Sequence, residues 1–142
     1  MPPKRSAPPT LDEFISFAER GDDLSAVLRC HLALEVVLNG ILAPHTPRGS
    51  EIDRLPFVAK FDICTMLRRL DVRYRPGWVV ANRIRNGFAH DLTAMVTEQM
   101  AGDFISALPK VNPLADERFT ESKLRFATAR EKVSLCYSVL FI

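Results

Sequence analysis

Apolar residues recur at three- and four-residue intervals along most of this chain, a spacing that predicts helices rather than strands. Thr10 and Glu13 make the Thr-x-x-Glu pattern of a helix start, so a first short helix is expected over about residues 11–20, closed by Gly21. Asp22 or Asp23 caps a second helix running to about Ala43. Its Leu24, Val27, Leu28, Leu34, Val37, Leu38, Ile41 and Leu42 form a stripe wide enough for central burial. A polar, proline-rich loop follows from Pro44 to Pro56. A third helix, about residues 57–70, carries Phe57, Phe61, Cys64, Leu67 and Leu70 within roughly half of its circumference. Pro76 opens a fourth that reaches His90, a fifth lies around residues 97–108 before Pro109, and a last runs from about Asp116 to the C-terminus. No stretch alternates as a strand does and nothing repeats. The expected architecture is all-α, an irregular bundle of five to six helices, with residues 1–9 as a flexible Pro-rich tail and 10–142 as one domain.

Composition agrees with that size of core: 142 residues, 47% apolar and 25% charged, as in an ordinary soluble globular protein. The net charge of +2 does not by itself imply nucleic acid, but its distribution is uneven. Arg68, Arg69, Arg73, Arg75, Arg83 and Arg85 face a single acid in that stretch, Asp71. A basic surface there would attract a polyanion such as RNA. The same run would equally serve as a solvated helix face with its acids elsewhere. Cys30, Cys64 and Cys136 are odd in number, far apart and inside apolar runs, which suits buried thiols in a reducing compartment. Met1 to Pro9 lacks the apolar region of a signal peptide, and Val133 to Ile142 is too short to span a bilayer. A cytoplasmic protein without a membrane partner is expected. His31, His45 and His90 are scattered, and neither a metal-ligand spacing nor a Gly-rich phosphate loop is present, so no metal or cofactor is expected.

The segment from Asn82 to Asp91 concentrates the candidate chemistry. At 100° per residue, Gly77, Val80, Ala81, Ile84 and Phe88 converge on one side of the fourth helix, the core face. Val79, Asn82, Asn86 and Ala89 fall opposite, with His90 near their edge. That second face is neither charged nor apolar throughout, which suits a helix covered on both sides. Gly87 would let another backbone approach. A homodimer through the Pro76–His90 helix follows as an expectation. Asn86 and His90 share a face, whereas Arg85 and His90, five apart, diverge by about 140° on an ideal helix. They meet only if the helix frays at Ala89–His90, if the arginine reaches round, or across a two-fold axis.

Arg83-Ile-Arg-Asn-Gly-Phe-Ala-His90 resembles the R-x4-H signature of the HEPN superfamily, in the form found in its mannitol operon repressor-like branch. Phe57-Val-Ala-Lys-Phe-Asp-Ile-Cys-Thr-Met-Leu67 resembles the helix that precedes the motif in that branch. Val96–Leu108 is similar to the short helix after it, and Arg125-Phe126-Ala127 to the closing helix. The resemblance covers roughly residues 25–142. Many proteins of that superfamily are metal-independent endoribonucleases of toxin or antiviral-defence type, working as dimers with two motifs in one cleft. The resemblance then implies His90 as the proton carrier while an RNA 2′-hydroxyl attacks the adjacent phosphate. Arg85 would hold the scissile phosphate and Asn86 would position it. The products that the resemblance implies are a 2′,3′-cyclic phosphate and a 5′-hydroxyl, chemistry in which RNA supplies its own nucleophile.

Around this set, Arg83, Arg75 and Arg73 are candidate RNA contacts. Glu35, in the apolar run Leu32-Ala-Leu-Glu-Val-Val-Leu38, is a candidate supporting residue, orienting Arg85 or pairing with His31 one turn before it; it would equally reach solvent. Tyr74 and Trp78 are a candidate base-stacking pair, or packing residues. Two other readings stay open. Position 92, where some HEPN toxins carry a tyrosine modified by a partner enzyme, is leucine. The mannitol-repressor branch contains regulators, so a non-catalytic regulatory or protein-interaction domain is the main alternative, with an antitoxin or regulatory protein as a further partner. A helix-turn-helix reading DNA through Asn82, Arg83, Arg85 and Asn86 is the third. It is disfavoured because such contacts usually sit near the N-terminal end of the recognition helix.

Overall fold

The computed structural model describes residues 9–46, 52–110 and 121–141, and every element among them is helical. Seven α-helices follow in order: α1 (Leu11–Glu19), α2 (Asp23–Leu42), α3 (Phe57–Met66), α4 (Arg75–His90), α5 (Glu98–Ala107), α6 (Glu121–Phe126) and α7 (Ala129–Phe141). Short 3-10 turns cover Ala43–His45, Ile52–Arg54 and Val72–Tyr74. The all-α expectation holds. The proline-rich tail, residues 1–8 of it, lies outside the described residues.

Helix starts are set by side-chain caps visible in the sequence. The Thr10 hydroxyl accepts from the Glu13 amide at 3.2 Å while the Glu13 carboxylate accepts from Thr10, and Asp22 accepts from the Ser25 amide at 2.8 Å. Thr97 caps α5 in the same way, accepting from the Met100 amide at 3.2 Å. The last helix is not continuous. It breaks at Ala127–Thr128, where the Thr128 hydroxyl accepts from the Glu131 amide at 3.2 Å and starts α7 afresh.

The third helix is shorter than its hydrophobic pattern implies, ending at Met66 rather than near Leu70. Arg68 takes the left-handed conformation, φ 56°. The Arg69 amide then donates to Cys64 O at 3.0 Å and the Arg68 amide to Thr65 O at 2.9 Å. These two bonds are the Schellman pattern that satisfies orphan carbonyls at a helix end.

Helix α2 is the central element, packed by α1, α3, α4 and α7, and α4 lies against α2, α3, α5 and α7. The stretch Asp23–His45 is long and apolar enough to cross a membrane by length and composition, yet 44% of that window is buried inside the fold. The core runs from Phe14, stacked on Phe141 at 4.6 Å, through Leu34, Leu38, Phe61 and Phe88 to Phe104 and Tyr137. Tyr137 holds α7 to α4, its hydroxyl donating to Ala81 O at 3.3 Å, one turn before Arg85. Gly77 permits that approach on the next turn: a Cβ there would lie 2.9 Å from Leu108 Cδ2 and 3.2 Å from Leu140 Cδ2.

Asp23 and Arg130 fasten the connection that follows α4. The Val96 amide donates to Asp23 Oδ2 at 2.8 Å, and the Arg130 guanidinium donates to Gly21 O and Arg20 O at 2.6 and 2.9 Å. The start of α2, the loop after His90 and the start of α7 are thereby joined.

Candidate functional site

Helix α4 is regular through His90, so the fraying that would bring Arg85 and His90 together within one chain does not occur. Gly77, Trp78, Val80, Ala81, Ile84 and Phe88 are its buried residues, as the periodicity requires. Val79, Arg83, Asn86, Gly87, Ala89 and His90 are exposed and Asn82 is half-buried. The candidate triad is therefore divided. Arg85 Nη1 donates to Asn86 Oδ1 at 3.3 Å, a local pair, while His90 leaves the helix about 140° away from Arg85.

Arg85 is half-buried, and its positive charge bears on His31 of α2, beside which a second group of polar residues collects. His31 of α2 is 5% exposed and lies against Phe57 of α3, ring centroids 4.1 Å apart and planes tilted by 33°. Its Nδ1 is enclosed without a hydrogen-bond partner. Burial lowers the imidazole pKa to about 4, and the positive charges of Arg85 and Lys60 press it further the same way. His31 is thus neutral at physiological pH. Lys60 of α3 is buried along its whole stem, and its ammonium stands 4.0 Å from the Glu35 carboxylate, which is about one-third exposed.

Glu35 thus has neither of the partners expected for it. Its ion pair is with Lys60, across the α2–α3 contact, rather than with Arg85 or His31. Lys60 escaped the sequence reading because a charged residue counts as a surface marker. The signal for it was its place inside Phe57-Val-Ala-Lys-Phe61, where both aromatic neighbours face the core.

The basic run is less basic than its letters. Arg75 makes a two-pronged contact with Asp62, at 2.8 and 3.2 Å, and Arg73 does so with Asp71, at 2.9 and 2.7 Å. Both acids are held below the usual carboxylate range by those guanidinium hydrogen bonds. Arg83, exposed on the outer arc, has no ion pair among the described residues. Trp78 is 1% exposed, between Phe57 at 5.5 Å and Phe61 at 5.1 Å, and so is a packing residue with no face left for a base. The three cysteines are buried, which pushes the Cys30 and Cys136 thiols up to about 12 and Cys64 to about 11, far from nucleophilic thiolates.

The fold also leaves large apolar side chains exposed. Leu28 and Leu32 of α2 are 37% and 60% exposed and stand on the same flank as Glu35 and Asn39, in the i, i+4, i+7 register. Val79 of α4 is exposed as well, at 36%. The fold is that of a small all-α bundle, and its candidate site is the outer face of its fourth helix. Compared with protein-family models, with curated proteins and with solved structures, the chain finds no match.

Proposed function

We propose that this protein is a HEPN-like, metal-independent endoribonuclease of toxin or defence type that works in the cytoplasm as a homodimer. The observation that carries the reading is the unbroken course of α4, with Asn86 and His90 on its outer arc and Arg85 on the adjoining flank. A helix that carries an amide and an imidazole on exposed positions with a half-buried arginine next to them, in a fold that also exposes Leu28, Leu32 and Val79, is suited to pairing with its own copy. Across a two-fold axis, Arg85 of one copy faces His90 of the other, removing the 140° problem that one chain cannot solve.

In that arrangement the RNA 2′-oxygen attacks the adjacent phosphorus, its proton passing to a base, and the bond to the 5′-oxygen breaks as that oxygen gains a proton. His90 carries the protons. Arg85 stabilises the charge that develops on the phosphate, and Asn86 holds the guanidinium in place by the contact it already makes. Arg83, without an ion pair, is the better placed of the three candidate RNA-binding arginines; Arg73 and Arg75 must first leave Asp71 and Asp62.

The divergence of Arg85 and His90 within one chain favours a second reading, a non-catalytic regulatory or protein-interaction domain in which the motif residues line an interface. End-labelled RNA incubated with purified protein in EDTA separates the two. Cleavage leaving cyclic-phosphate ends, lost in folded His90→Ala and Arg85→Ala variants, supports the nuclease. Intact RNA across diverse substrates supports the regulator.

A further inference from the structure

We propose that His31, Lys60 and Arg85 form an oxyanion subsite that takes one phosphate group at the seam of α2, α3 and α4. His31 of α2 is enclosed with its Nδ1 unpartnered, Lys60 of α3 stands 4.0 Å from the Glu35 carboxylate one turn along α2 from His31, and the positive charges of Lys60 and of Arg85 of α4 both bear on the imidazole. Two of the three are among the most enclosed polar residues of the fold, His31 at 5% and Lys60 at 2% exposure. Folding alone gives no reason for this arrangement. An enclosed polar atom without a partner destabilises a protein, and at His31 a leucine or methionine would fill the space without the cost that the unpartnered Nδ1 carries.

The details fit a site awaiting a negative charge. His31 Nδ1 has no hydrogen-bond partner among the described residues, and the ring is held against Phe57, centroids 4.1 Å apart. The Glu35 carboxylate is 4.0 Å from the Lys60 ammonium, close enough for attraction but beyond a hydrogen bond, and about one-third exposed. Swinging it into solvent therefore breaks no hydrogen bond and opens the ammonium to an anion. Arg85 is half-buried and uses Nη1 for Asn86, which leaves further guanidinium donors on a side chain whose charge already bears on His31. Arg and Lys together supply a fork and a point charge, a combination that suits a tetrahedral oxyanion.

The anion is a phosphate group, and its natural source rests on the nuclease reading: a backbone phosphate next to the one that is cut. A free phosphate monoester offers the same chemistry, so the test separates them. It uses the full-length protein with isotopically labelled histidine, titrated with inorganic phosphate against chloride at matched ionic strength and read by the ring resonances of His31.

The expected result is a saturable shift of the His31 signals, with the exposed His45 unmoved, and apparent affinity at least ten-fold weaker in Arg85→Gln and Lys60→Met. If Lys60→Met fails to fold, Arg85→Gln at its half-exposed position carries the comparison alone. A response no different from chloride, or one that Arg85→Gln leaves intact, overturns the subsite. A deoxydinucleotide, which has a phosphodiester but no 2′-hydroxyl, is the second probe. Competition between it and inorganic phosphate assigns the site to a nucleic-acid backbone, and binding of inorganic phosphate alone assigns it to a free monoester. Neither arm involves cleavage, so a chain that binds phosphate and cuts no RNA keeps the subsite and loses only the nuclease.

Discussion

The imidazole of His31 packs against the ring of Phe57 with centroids 4.1 Å apart and planes tilted by 33°, and it does so without charge. Burial in the seam of three helices, beside two fixed cations, makes protonation there expensive. The folded-state pKa near 4 lies below the ordinary histidine value of 6.5.

Stability should therefore fall as the solution is acidified. Between pH 6.5 and about 4 the unfolded chain binds a proton that the folded chain refuses, so stability rises with pH across that window and is level above it. The full loss on going down through the window is on the order of 3 kcal/mol, taking about 1.4 kcal/mol for each pH unit. Urea denaturation at pH 7, 5.5 and 4.5 measures it. In His31→Gln, which does not titrate, the slope should flatten markedly; an unchanged slope would place the acid sensitivity elsewhere.

Arg68 holds a left-handed backbone where helices commonly end on glycine. For an L-residue that conformation costs about 1–2 kcal/mol, and glycine recovers most of it while adding some entropy to the unfolded chain. Arg68→Gly should raise stability by about 0.5–1 kcal/mol. A higher urea midpoint with an unchanged slope is the expected reading, and a lower midpoint would mean that the Arg68 side chain contributes more than its backbone costs.

These two positions also show where sequence was a good guide and where it was not. Caps at Thr10 and Asp22 stand beside the residues they bond, so local letters suffice, and α1 and α2 start where expected. Thr128-Ala-Arg-Glu131 carries the same local signal, but the apolar periodicity runs across it and hides the break before α7. The end of α3 could not be read because Arg68 has no compositional mark of positive φ. The core face of α4 was legible from its period, including Gly77 and Phe88. Lys60 and its pairing with Glu35 were not, since they depend on how α2 crosses α3, a relation that no spacing within either helix encodes.

Gly87 offers a way to ask what covers α4. A Cβ added there would meet nothing within 4 Å, so alanine should raise helix stability by about 1 kcal/mol in the isolated chain. If the outer face packs against a second copy, the same methyl group obstructs the approach. Gly87→Ala should then be more stable to urea at low concentration yet dissociate at least ten-fold more readily by sedimentation equilibrium. A dimer indifferent to the change would remove the α4 face as the interface.

Mixed dimers give the most direct test of whether Arg85 and His90 act in trans. Neither Arg85→Ala nor His90→Ala should cleave RNA alone. When the two are unfolded together and refolded, about half of the dimers are mixed. In a mixed dimer the Arg85 of one chain still faces the His90 of the other, while the second pairing lacks both groups. Recovery of about a quarter of the original activity is expected from that count if each pairing works independently. A site formed within one chain recovers nothing, because no chain in the mixture carries both residues. The regular course of α4 through His90 makes the first outcome the expected one: the helix sets the two side chains about 140° apart in one copy, a separation that a second copy would resolve.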